Sequence, residues 1–241
     1  RSEMCIRDRS ETPHGELIKA LEPEFKKEGI DLDLVVFSDY VQPNLQLESG
    51  DLDLNFYQHQ PYLDSFNKDR KTNIVSLENS KIFITPLLGF SSKIKDIKDL
   101  EDGAEIIIPN DPTNGARALL ILDKEGLIKL KDRNNLNSTE VDIVENPKNL
   151  KFTAVDAQNI PRVYQDADLA FINPNFAISN GLDPKDAIIT EAKDSPYANI
   201  VAARSGEENN EVYKKVVKVL QSEASRKYIE DTFKGAVLPT F

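Results

Sequence analysis

Cysteine is nearly absent from this chain. Cys5 is the only one in 241 residues, which excludes a disulfide framework and any zinc-knuckle spacing. Histidine is almost as scarce. His14 and His59 stand far apart, without the close spacing of a metal pair, and no metal or other cofactor is expected. Basic residues are outnumbered: 30 Lys and Arg against 41 Asp and Glu leave a net charge of −11. That balance argues against a nucleic-acid partner, which needs a basic face, and against a polybasic contact with anionic membrane. Its plain meaning is solubility. No apolar run is long enough to span a bilayer. There is no short-period repeat and no low-complexity linker. There is no G-x-S-x-G elbow either. His59 and Asp64 can be imagined as an acid–base pair, yet nothing supplies a nucleophile or an oxyanion hole beside them. No catalytic residue is expected.

The first residues, Arg1 to Ser10, alternate charges without helical or strand periodicity. Residues 1–11 therefore read as foreign to the domain, and the sequence is silent on secretion. Cys5 does not follow the hydrophobic, small-residue stretch that precedes a lipid-anchoring cysteine.

What is present is an alternation of short apolar strands and amphipathic helices. The most informative stretch runs from Glu105 to Leu122. Ile106 to Ile108 is a buried strand, Pro109 to Gly115 a turn, and Ala118 to Leu122 the apolar side of a helix capped by Thr113 or Asn114. Arg117 is expected in the first helical turn, where the helix dipole disfavours a structural cation. Two readings stand. Either Arg117 receives a carboxylate at the helix start, or it pairs with Asp111 or a nearby surface acid.

The pattern predicts a helix over 16–27, interrupted by Pro23, and strands over 31–37 and 51–57. A helix follows with Pro61 at its start. Ile82 to Phe90 is extended and broken by Pro86. A second block has strands at 105–109, 141–144, 152–155, 168–172 and 188–190. Residues 199–203 read as a returning strand, and two amphipathic helices, over 208–220 and 223–233, close the chain. Alternating units of this kind predict α/β lobes built on parallel or mostly parallel sheets. The expected division is 12–88 with 197–241 as one lobe and 89–196 as the other.

In open α/β sheets the ligand crevice lies beyond the C-terminal ends of the strands. Tyr40, Tyr57 and His59 follow strands of the first lobe. Arg117 and Asn173 follow strands of the second, and Asn199 lies at the second crossover. The set suits a small zwitterion: Arg117 for a carboxylate, Asn173 and Asn199 for an ammonium, and Tyr40, Tyr57 and Phe56 around an apolar or thioether side chain. Each residue has a duller reading, as a wet core tyrosine, a structural histidine or a turn asparagine.

At these residues the chain resembles the methionine-binding lipoproteins of the NlpA/MetQ type, the substrate-binding components of ABC importers. The matching stretches are SDYVQPN (38–44), GDLDLNFYQHQPYLD (50–64), PNDPTNGARALLIL (109–122), GLIKLKD (126–132), VENPKNLK (144–151) and SPYANIV (195–201). The resemblance implies an α/β, two-lobe periplasmic-binding-protein fold, type II-like, with a ligand cleft between lobes. It implies ligand contacts at Tyr40, Tyr57, His59, Arg117, Asn173 and Asn199, with L-methionine or a related amino acid as ligand. It further implies an ABC permease as partner and an extracytoplasmic place in the cell envelope, held to the membrane by a lipid anchor that this chain does not carry. Two departures stand out. The family has a first β-strand ahead of the Pro-His turn, and the residues before Pro13-His14 are expected not to form it, weakening the first lobe. Pro174-Asn175 after Asn173 is expected to shift that amide slightly.

Two other classes are weighed against the receptor: a hydrolase of amino-acid derivatives, marked by turnover, and a surface adhesion protein, marked by binding indifferent to Arg117 and Tyr57.

Overall fold

A computed structural model describes the backbone of residues 2–8, 11–37 and 41–241, with side chains from Pro13 onward. In chain order its strands are β1 (Ser2–Asp8), β2 (Ile30–Val36), β3 (Leu54–His59), β4 (Ile74–Ser76), β5 (Phe83–Ile84), β6 (Leu88–Phe90), β7 (Glu105–Pro109), β8 (Lys129–Leu130), β9 (Ile143–Glu145), β10 (Lys151–Val155), β11 (Leu169–Ile172), β12 (Ile189–Thr190), β13 (Asn199–Arg204) and β14 (Leu238–Pro239). The α-helices are α1 (Glu16–Ala20), α2 (Glu22–Lys27), α3 (Gln42–Ser49), α4 (Gln60–Arg70), α5 (Pro112–Lys124), α6 (Ile160–Val163), α7 (Pro174–Ser179), α8 (Glu211–Leu220) and α9 (Glu223–Phe233). The chain forms two compact units: Arg1–Ile84 with Asp194–Phe241, and Thr85–Lys193.

The first unit is built on one sheet, in the order β14-β5-β13-β3-β1-β2, with β4 also beside β13. Along β13 the side chains alternate between two cores, as the two-residue period of a strand requires. Val201 and Ala203 join Leu54, Phe56, Phe83, Val216 and Leu220, under α1, α2, α8 and α9. Ile200 and Ala202 join Leu47, Leu52, Leu63 and Phe66, under α3 and α4. A strand covered on both faces reads as a continuous apolar run, which is the pattern of Ile200 to Ala203. Pro23 sits in the first turn of α2, where its missing N–H costs nothing, so residues 16–27 form two short helices.

The first residues form a strand, against the expectation from their side-chain pattern. Residues 2–8 form β1, which lies between β2 and β3 and is parallel to both, with Ile6 opposite Leu34 and Leu54. Parallel pairing is made by backbone groups. The facing edges of β2 and β3 offer unpaired N–H and C=O groups to an extended segment of any side-chain pattern. The expectation of a weakened first lobe rested on a missing strand and falls with it.

The second unit has a sheet in the order β10-β7-β11-β6-β12, and β8 pairs with β9 in a small separate ribbon. Ile106 and Ile108 of β7 face a core with Leu119, Leu122, Leu169 and Phe171. Ile107 faces the opposite core with Ile160, Ala170 and Ile172. Both units have mixed sheets, where mostly parallel ones were expected. β7 is parallel to β10 and β11, but β6 runs antiparallel to both of its neighbours, β11 and β12. In the first unit the returning β13 is antiparallel to β3, β4 and β5. Gly89 permits the close packing of β6, because a Cβ there would lie 2.4 Å from the Ile189 side chain.

Candidate functional site

In the first unit, three of the expected residues come together where β3 ends and β13 begins. The antiparallel register sets Asn199 directly opposite His59. Tyr57 lies two residues before His59, at the irregularity that shifts the β3–β13 register, and is buried. Tyr40 lies outside the described residues.

His59 ends β3 in an extended conformation and caps α4, its Nδ1 accepting the Tyr62 N–H at 3.1 Å. The capping bond makes Nδ1 the unprotonated nitrogen, so in the neutral ring Nε2 carries the hydrogen. The ring meets Tyr197 edge-on at 5.0 Å between centroids and Tyr62 at 6.4 Å. Tyr57 meets Tyr62 edge-on at 6.1 Å. Tyr62 and Tyr197 are thus part of the aromatic cluster although neither was singled out from the sequence. Their signal was position alone, within the YQHQPYLD and SPYANIV stretches.

Asn199 is buried, and its Oδ1 is 2.6 Å from His14 Nε2. An amide oxygen accepts, so the imidazole Nε2–H donates. The Asn199 amide nitrogen donates to the Tyr197 carbonyl at 3.4 Å. The oxygen expected to meet a ligand ammonium is therefore held by His14.

In the second unit, β7 and β11 are neighbouring parallel strands, so the segments after them lie side by side. α5 follows β7. Its cap is Asp111, which accepts the Asn114 N–H at 3.0 Å, rather than Thr113 or Asn114. That places Arg117 in the second helical turn instead of the first. Asp111 is occupied by the cap and by the Asn114 side chain at 3.1 Å. The acid on Arg117 is Glu191, just after β12. Arg117 Nε donates to Glu191 Oε2 at 3.0 Å and Nη2 to Oε1 at 2.5 Å. Both side chains are buried, at 4% and 6% exposure. Nη2 also donates to the Thr85 carbonyl at 3.0 Å and Nη1 to Asn114 Oδ1 at 3.2 Å. Glu191 was missed from the sequence. Its one signal was an acid directly following an apolar strand, 74 residues from the arginine it meets.

Asn173 takes the N-cap position of α7 with Pro174 as the first helical residue, but its side chain makes no cap bond. Its amide nitrogen donates to Asn114 Oδ1 at 3.3 Å. Asn114 is oriented by its own donation to Asp111 and by the Arg117 donor, which fixes the sense of the Asn173 amide in turn. Asn173 Oδ1 is left buried without a hydrogen-bond partner. A buried acceptor of this kind costs free energy until a donor meets it. Among the described residues no group of three or more His, Cys, Asp and Glu side chains could hold a metal ion.

Comparison with known proteins matches residues 9–241 to the model of the NlpA lipoprotein family. The chain belongs to the NlpA lipoprotein family. It is 46% identical over 216 residues to the D-methionine-binding lipoprotein MetQ of Salmonella typhi, covering 88% of this chain and 79% of that protein. Among solved structures, a nutrient-binding protein from Burkholderia cenocepacia bound to methionine superposes with a TM-score of 0.86 at 43% identity, covering 99% of this chain and 100% of the other. A periplasmic substrate-binding protein of an ABC transporter from Coxiella burnetii gives 0.86 at 38% identity, with 98% and 99% covered. The two-unit α/β fold of this NlpA-family chain is that of the periplasmic binding proteins.

Proposed function

We propose that this chain is the methionine-binding component of an ABC importer, held in the extracytoplasmic envelope by a lipid anchor in its full-length form, and that it hands its ligand to a membrane permease. The observation that carries the reading is the likeness, over 99% of the chain, to a nutrient-binding protein bound to methionine. No described helix is long and apolar enough to cross a membrane.

The ligand set is Tyr57, His59 and Asn199 in the first unit and Arg117 and Asn173 in the second, with Tyr40 as the remaining member. The carboxylate goes to Arg117 and the ammonium to the buried oxygen of Asn173. The rings of Tyr57, Tyr62 and Tyr197 favour a thioether side chain, since sulfur–aromatic contacts are attractive. Nothing in the set is an activated nucleophile, and the reading is of a receptor, with closure around the ligand as its working motion.

The test is calorimetric titration of the unfolded and refolded protein, freed of carried-over ligand, with L-methionine, D-methionine, leucine, glutamine and Gly-Met. Tight methionine binding with leucine much weaker is the expected result. A folded protein that binds none of them would refute the reading, and turnover of an amino-acid derivative would replace it with an enzyme.

A further inference from the structure

The charge on Arg117 is already met inside the protein. Glu191 takes it through two contacts, at 3.0 and 2.5 Å, and both side chains are almost wholly removed from water. Glu191 is itself held in place: its backbone N–H donates to the Leu87 carbonyl at 3.1 Å, and its Oε1 accepts the Leu87 N–H at 3.4 Å. The pair carries no net charge. A lone buried arginine would take any organic anion, with or without an amino group. A neutral pair treats the two differently, because charge interactions are strengthened where water is excluded. A bare carboxylate brings an uncompensated negative charge beside Glu191. A zwitterion brings none, and its ammonium has a waiting acceptor in Asn173 Oδ1, which is buried and unpartnered.

From this geometry we infer that Glu191 is a specificity-determining residue: by neutralising Arg117 it restricts the site to zwitterionic amino acids and rejects organic anions of the same shape. The inference rests on the proposed function, in which Arg117 and Asn173 face the ligand. Glu191 acts through Arg117 and needs no contact with the ligand itself.

The experiment compares methionine with its des-amino analogue, methylthiobutanoate, which keeps the side chain and carboxylate and lacks the ammonium. Affinities for both are measured by calorimetry on the wild type, Glu191→Gln, Glu191→Asp and Arg117→Ala, with folding checked by circular dichroism. The wild type is expected to prefer methionine by far more than tenfold. Glu191→Gln keeps the shape and removes the charge, and should lower that preference by about tenfold. Glu191→Asp keeps the charge and should retain most of it. A merely structural role would weaken both ligands alike and leave the ratio unchanged, which overturns the inference. Should Glu191→Gln fail to fold, Glu191→Ser takes its place with the same expected fall in preference, and near-equal binding of the two ligands by the wild type also overturns the inference. The Arg117→Ala arm separates the two levels. If methionine affinity is unchanged there, the placement of Arg117 at the ligand fails and the inference with it. If methionine binding is lost there while Glu191→Gln leaves the preference unmoved, only the inference fails.

Discussion

His14 Nε2 and Asn199 Oδ1 lie 2.6 Å apart, a buried hydrogen bond between residues 185 positions apart in the chain. The imidazole is packed against Phe56 and Phe83, with ring centroids at 4.9 and 4.8 Å. The segment ahead of α1 is thereby tied to the first residue of β13, and the Asn199 amide is turned in a fixed sense. His14→Ala removes the donor, opens a cavity among aromatic rings and leaves Asn199 Oδ1 short of its partner. We expect a loss of about 2–4 kcal/mol in unfolding free energy, together with weaker methionine binding. Denaturant unfolding and calorimetry on the same variant check both, and a change below about 1 kcal/mol would mean that the bond contributes little.

The Arg117–Glu191 pair separates stability from binding. Arg117→Ala strands a buried carboxylate and should destabilise the protein by roughly 3–5 kcal/mol. Replacing both partners by apolar residues, as in Arg117→Met with Glu191→Leu, leaves no buried charge and should regain most of that loss. Methionine affinity should stay low in both, because neither offers a guanidinium. A double variant that recovers affinity along with stability would remove Arg117 from the ligand set.

Tyr213 contributes to the fall of stability at high pH. Burial pushes its phenol up to about 12, helped by the negative charges of Glu207 and Asp53 and by the hydrogen bond it donates to Glu207, with Arg204 opposing. The folded-state pKa lies above the unfolded value of about 10. The unfolded chain therefore releases this proton first. Its contribution to stability is fully present below pH about 10 and is lost as pH rises through about 12. Tyr213→Phe should flatten the alkaline fall of stability across that window. Unfolding free energies of wild type and variant, measured at several pH values through the window, are the check, and identical slopes would contradict it.

The parts of this molecule that are legible in the sequence are those decided by neighbours along the chain. Ile106 to Ile108 is an apolar run too short for a helix and stopped by Pro109, and β7 spans Glu105–Pro109. The last two helices are visible from their periodicity, although Asn210, which accepts the Val212 and Tyr213 N–H groups, starts α8 three residues later than the pattern suggested. β1 was not legible, because its pairing depends on the backbone edges of β2 and β3 and its side chains carry no strand pattern. At the site, Tyr57, His59 and Asn199 could be grouped because they end or begin strands, and the β3–β13 register brings His59 and Asn199 opposite each other. Glu191 and His14 could not be found this way. Their partners are 74 and 185 residues distant, and nothing local distinguishes a buried pairing from a surface one.

Three buried amides join α3 to β3, and Asn44 is their hub. Asn44 Oδ1 accepts from Asn55 and from Gln58, each at 2.8 Å, and its amide nitrogen donates to Gln58 Oε1 at 2.9 Å. Gln58 also donates to Asn55 Oδ1 at 2.9 Å. Water does not reach these groups, so each polar atom depends on the others. Asn44→Leu fills much of the same volume but strips an acceptor from two donors and a donor from Gln58. Such a loss should cost about 2–4 kcal/mol, as one or two buried groups are left unpaired. In a double-variant cycle with Gln58→Leu the two changes should be far from additive, because the second removes groups that the first had already orphaned. A coupling of about 1 kcal/mol or more is expected. Additivity would mean that the amides are satisfied independently and that α3 is held to β3 by its apolar contacts alone.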